Sequence, residues 1–153
     1  MTGVDIIALS ACLAGVLDIS ATASVMYAQG VPISRLLQFI ASGAFGPSAF
    51  DGGKRMAGLG LLLHFLIAGI VATVYYAATR PLMPIRLDRA VLFGALYGAL
   101  VHLMMSRLVV PLSRAPKRKF SIKAFLTQLV IHIFCVGIPI ATMQSYFSGQ
   151  TRL

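Results

Sequence analysis

Residues 90–110 read AVLFGALYGALVHLMMSRLVV. The stretch has no formal charge before Arg107. It is long enough to cross ~30 Å of hydrocarbon as one helix, which takes about 20 residues. Gly94, Gly98 and His102 recur at four-residue spacing, with Ser106 one turn on. In a helix these residues share a face, and a Gly-x-x-x-Gly face lets a neighbouring backbone come close in lipid. A histidine on that face points into a bundle, because an ionisable side chain is disfavoured against acyl chains.

Three further runs have the same character, at residues 6–28, 56–78 and 124–143. The chain has 153 residues, of which 58% are hydrophobic and 11% charged, so little is left for a water-soluble domain. The runs lack the short alternating segments of a transmembrane barrel. The expected fold is therefore all-α: a polytopic membrane protein forming one antiparallel four-transmembrane-helix bundle over residues 1–153. The first run is read as a retained span, not a signal peptide. Its leading MTGVD has no basic residue, and Asp18 interrupts its apolar run. Ala11, Ala14, Gly15, Asp18, Ala21, Thr22 and Val25 make its small and polar face, while Leu9, Leu13, Val16 and Ile19 face lipid.

Between the first and second spans, residues 33–45 read ISRLLQFIASGAF. Ile33, Leu36, Leu37 and Ile40 recur at helical spacing, with Ser34, Arg35 and Gln38 opposite. The run is too short to span. It predicts an interfacial helix with its leucines and isoleucines towards acyl chains. In the second span, Tyr75 and Tyr76, with Arg80, are expected at the far interface. The short 79–89 link predicts that the second and third spans pack as neighbours. Pro111 and Pro116 are expected to stop the third span, and Gly137 and Pro139 to bend the fourth. The tail from Gln144 onward, QSYFSGQTRL, reads as frayed.

The formal net charge is +9. The basic residues flank apolar runs, so the expected partners are anionic lipid headgroups and not nucleic acid. Arg114, Lys117, Arg118, Lys119 and Lys123 form the densest basic cluster. The side holding residues 30–56 and 111–123 carries most of the lysine and arginine. The positive-inside rule puts it in the cytoplasm and both termini in the periplasm. Cys12 and Cys135 both sit inside apolar runs and do not read as a disulfide.

Helix order gives depth. Counted from the basic side, Asp18, His64, His102 and His132 fall at similar depth, one from each span, and these are all the histidines of the chain. Such a layer admits several chemistries. Asp18, His64, His102 and His132, with Cys135 one turn beyond His132, are the ligand types of zinc or a redox metal. His64, His102 and His132 are also candidates for axial clamping of a haem, with the Gly60, Gly94 and Gly98 faces giving room for the ring. The same groups suit proton transfer, with Asp18 as acceptor and the histidines as relay. A structural hydrogen-bond core is the plainer alternative.

The stretches LQFIASGAFGPSAFDGG, LGLLLHFLIAG, GALYGALVHLMM and GIPIA resemble those of a group of small four-helix bacterial inner-membrane proteins of uncharacterised function. The resemblance implies a bacterial inner membrane and supplies no catalytic residues. Three function classes remain open. One is a metal or haem site, within a redox or enzymatic membrane complex. The second is a small oligomeric transporter, channel or proton pathway, with residues 41–53 as a gate. The third is an accessory or assembly subunit of a larger membrane complex, or a homo-oligomer.

Overall fold

The computed structural model describes residues 1–82, 85–117 and 119–150. Four helices are long and apolar enough to span a membrane: α1 (Gly3–Ala28), α3 (Gly53–Leu82), α4 (Leu87–Leu112) and α5 (Ile122–Gly149). A short helix, α2 (Ile33–Phe45), lies between the first two. The described residues contain no strand. Leu62, Leu66 and Ile70 on α3, and Leu96 and Leu100 on α4, are exposed, which is consistent with lipid contact.

Local chemistry sets the helix ends. Thr2 caps α1 in a reciprocal box: its backbone N–H donates to Asp5 Oδ2 at 2.7 Å, and Asp5 N–H donates back to Thr2 Oγ1 at 3.3 Å. Gly30, at φ 78°, turns the chain out of α1 in a conformation that suits glycine. Ser121 opens α5 by accepting from Ala124 N–H at 3.4 Å.

The third and fourth spans each carry a π-helical segment just before a proline. In α4 it is Met105–Val109, two residues ahead of Pro111, and in α5 it is His132–Gly137, two ahead of Pro139. Proline removes an N–H donor and crowds the carbonyl one turn back, and a widened turn relieves both. The third span ends at Leu112, one residue past Pro111 and short of Pro116, as expected. The fourth is helical through Gln150, so residues 144–150 of the expected frayed tail are ordered helix. Gln144, Ser145 and Ser148 are buried there.

The packing order differs from the one expected from the short link. α1 packs on α3 and α5, and α5 packs on α4. α3 and α4 meet through Tyr97, whose hydroxyl donates to Val71 O at 2.7 Å and whose ring lies 5.0 Å from Tyr75. The seams explain this order. A Cβ on Gly94 would lie 2.7 Å from Ile138 Cα, and one on Gly137 would lie 2.7 Å from Gly98 Cα, so α4 and α5 touch backbone to backbone. Tyr97 instead holds α3 and α4 apart. Tyr75 is 3% exposed and belongs to the core with Ala11, Ala14, Ala72, Val136, Ile140 and Ala141. It is a packing residue and not an interface anchor.

α2 sits against α3. The buried side is Leu36, Gln38, Ala41 and Ser42, while Ile33 and Arg35 are exposed. Gln38, expected on the outer face, donates from Nε2 to Gly53 O at 3.2 Å. The apolar stripe is thus turned partly into protein. The cause is Gly60: a Cβ there would overlap the Leu37 carbonyl and lie 3.3 Å from Ala41 N. Leu37 and Ile40 are consequently only half-exposed. Within residues 41–53, Ala41, Ser42 and Ala49 are fully buried and Pro47–Phe50 is a 3-10 helix. Gly60→Val is expected to lift α2 off α3, because a backbone carbonyl cannot step aside as a side chain can. A thiol placed at Ser42, shielded in the parent fold, should then react several times faster with a soluble maleimide. Unchanged reactivity would show that Gly60 does not seat α2.

Candidate functional site

The four layer residues meet. Asp18 lies ten residues before the end of α1, His64 eleven after the start of α3, His102 ten before the end of α4, and His132 ten after the start of α5. At about 1.5 Å per residue each is about 15 Å from the basic-side end of its helix.

Asp18 is the centre of the group. Its Oδ2 lies 4.0 Å from Nδ1 of His64, and its Oδ1 lies 4.0 Å from Nδ1 of His132. The three side chains are 12–16% exposed. Each histidine is steered by a carbonyl as well. His64 Nε2 is 2.9 Å from Gly15 O, which Gly15 makes reachable because a Cβ there would sit 2.7 Å from Phe65 Cε1. His132 Nδ1 is 2.8 Å from Gln128 O, one turn back. Thr22 Oγ1 donates to Gln128 Oε1 at 3.3 Å and ties α1 to α5 beside the site.

His102 completes the row from α4. Its ring lies 5.1 Å from that of His132 and 4.6 Å from that of Phe125, and it is 4% exposed. The approach is possible because Gly98 has no side chain: a Cβ there would overlap the His132 carbonyl. Among the described residues, His102 Nε2 and Asp18 Oδ1 are buried without a hydrogen-bond partner. Phe125 in turn lies under Arg107, whose guanidinium carbon is 5.4 Å from its ring and 5.2 Å from that of Phe120. The π-helical Met105–Val109 segment holds Arg107 in this position. Phe125 and Arg107, which close the row on the basic side, were not singled out by the sequence, since aromatics at a span end read as interface residues.

The glycine faces do not make a haem pocket. Gly60 is filled by the Leu37 backbone, and Gly94 and Gly98 by the backbone of α5. The 5.1 Å between the His102 and His132 rings leaves no gap for a flat macrocycle. Among the described residues no group of three or more histidine, cysteine, aspartate or glutamate side chains is arranged to hold a metal ion. Cys135 is a half-buried free thiol. The group is a buried His–Asp network, with two histidines beside one carboxylate and the ring of a third tilted against the second.

Of the basic cluster, Arg114, Lys117, Lys119 and Lys123 are exposed, and Arg118 lies outside the described residues, as does Arg152 of the tail. Arg114 N–H donates to Gly43 O at 3.0 Å, which ties this loop to the end of α2.

A second polar group, which the sequence reading missed, lies nearer the chain termini. Gln144 Nε2 donates to Ser10 Oγ and to Ala72 O, both at 3.0 Å. The available signal was the four-residue series Ile140, Gln144, Ser148, which continues the buried face of α5 into apparently polar tail.

No family model matches the chain, and comparisons with curated proteins and with solved structures return no match.

Proposed function

We propose that this protein takes up and passes protons within a membrane, with Asp18 as the acceptor and His64, His132 and His102 as the relay. The observation that carries the reading is one carboxylate whose two oxygens each lie 4.0 Å from Nδ1 of a different histidine. An uncompensated carboxylate at this depth is costly, so net-neutral arrangements of the group are favoured. Those arrangements hold one proton beyond the two neutral imidazoles, and it has three places to sit: Asp18, Nδ1 of His64, whose Nε2–H donates to Gly15 O, and Nε2 of His132, whose Nδ1–H donates to Gln128 O. At 4.0 Å neither pair is a direct hydrogen bond. A bridging water or a small turn of the Asp18 side chain closes the distance. His102 extends the row towards Phe125 and the basic side.

The test is proton uptake by full-length protein in liposomes that enclose a pH-sensitive dye, after an imposed pH step. Uptake that depends on Asp18 supports the reading, and uptake equal in wild type and Asp18→Asn overturns it. A metal ion is the second reading, favoured by two imidazoles beside one carboxylate, and it requires His132 Nδ1 to leave Gln128 O and His102 or Cys135 to turn inward as a further ligand. Elemental analysis after gentle purification separates the two. One zinc or redox metal per chain, lost together with any one histidine, would favour metal over proton transfer.

The reading includes an orientation. The side with Arg35, Lys54, Arg55, Arg107, Arg114, Lys117, Arg118, Lys119 and Lys123 is placed in the cytoplasm of a bacterial inner membrane. The other side, with Arg80, Arg86, Arg89 and Arg152, then faces the periplasm with both termini. The exposed lysines each add about 1 kcal/mol of attraction to anionic headgroups at low salt. Lys117→Cys in intact cells should resist an impermeant thiol reagent until the membrane is opened. Labelling in intact cells would reverse the orientation.

A further inference from the structure

We infer that Ser10, Tyr75, Gln144 and Ser145 form a second binding site, a buried water site in the half of the bundle nearer the chain termini. Gln144 is 0% exposed, Tyr75 3% and Ser145 4%. Among the described residues Tyr75 Oη, Gln144 Oε1 and Ser145 Oγ find no hydrogen-bond partner. Lipid offers no partner either, so each of these atoms needs one from a bound molecule.

Register places them at one level of the bundle. Ala72, Ile140 and Ala141 belong to one core cluster. Tyr75 stands one turn beyond Ala72, and Gln144 and Ser145 stand one turn beyond Ile140 and Ala141. On helices that run the same way, all three sit on the terminal side of that cluster. The hydrogen bonds of Gln144 to Ser10 and Ala72 show that its amide reaches between α1 and α3.

The donor inventory selects the ligand. Both amide hydrogens of Gln144 are used, which leaves its oxygen as a pure acceptor. Ser10 already donates to Ile7 O at 3.0 Å. Tyr75 and Ser145 keep hydroxyls able to donate or accept. The ligand must therefore donate to one group and accept from others, while carrying no charge, since no carboxylate or cation belongs to the set. Water meets these requirements, whereas a metal ion or an anion does not.

Between this site and Asp18 lie Ala11, Ala14 and Ile140, all buried. Resting on the proton reading, the water site is the outer station of the path, and the small-residue layer separates it from the histidine row.

The experiment is X-ray hydroxyl-radical footprinting of the full chain in lipid nanodiscs, read by mass spectrometry. Radicals formed from bound water oxidise the side chains beside it. Tyr75 should be oxidised despite its burial, at a rate within tenfold of Tyr27, which is 73% exposed. Gln144→Leu, and separately Ser145→Ala, should lower Tyr75 oxidation at least fivefold while leaving Tyr27 unchanged. A Tyr75 that stays unmodified in wild type overturns the site, as does labelling indifferent to both substitutions. Asp18→Asn should leave Tyr75 oxidation intact. If Tyr75 labels but wild-type liposomes take up no protons, the water site stands and the proton reading falls. If protons are taken up but Tyr75 stays unlabelled, the water site falls alone.

Discussion

Asp18→Asn is expected to reduce proton uptake by on the order of 100-fold, the scale on which a positioned acid–base group acts. The amide has the shape of the carboxylate, so the packing of α1 against α3 and α5 is kept. What disappears is the charge that makes both His64 and His132 favourable seats for a proton at 4.0 Å. The fold is expected to survive, because removing a buried carboxylate also removes its desolvation cost. Unfolding in mixed detergent micelles should therefore show a midpoint at or above that of the wild type. This separates a proton acceptor from a structural tie: loss of uptake with intact stability supports the first, and loss of stability with intact uptake supports the second. His64→Ala and His132→Ala should each lower uptake without abolishing it, since each leaves Asp18 one histidine.

Much of this arrangement was legible in the sequence, and the reasons differ by element. The spans followed from runs of apolar residues that only a bilayer accommodates. The depth of the Asp18 layer followed from counting residues from the basic loops, because a helix rises by a fixed amount per residue. The exposed Leu9, Leu13 and Val16 and the buried Ala11, Ala14 and Gly15 of α1 also lie as their spacing predicts. Which helix touches which was not legible. A short link brings two ends together but does not make two helices pack, and the glycines of α4 found their match in Gly137 on α5. The haem expectation failed for a related reason. Glycine in a membrane helix leaves room, but the sequence does not say what fills it, and here the filler is backbone. The second polar group was lost because residues 144–148 were read as a polar end, although the π-helical turn before Pro139 lets α5 continue.

The seam between α4 and α5 carries the largest expected stability effect. A Cβ on Gly98 would overlap the His132 carbonyl and lie 2.8 Å from Ile133 Cα, and one on Gly94 would lie 2.9 Å from Ala141 Cβ. The obstacles at Gly98 are backbone atoms of a helix held on its other side by α1, so they cannot yield by changing rotamer. Overpacking of this kind costs about 1–3 kcal/mol and more where nothing can move, and Gly98→Val is expected at about 3 kcal/mol or above. Gly58→Val is the matched control, since nothing lies within 4 Å of a Cβ at that exposed position. Its midpoint in the same micelle titration should stay near wild type. Gly98→Val should also part the His102 and His132 rings, now 5.1 Å apart, and so slow uptake even at protein concentrations that compensate for unfolding. If Gly98→Val unfolds no more readily than Gly58→Val, the two helices are not held by backbone contact. The close approach of the two histidine rings would then need another cause.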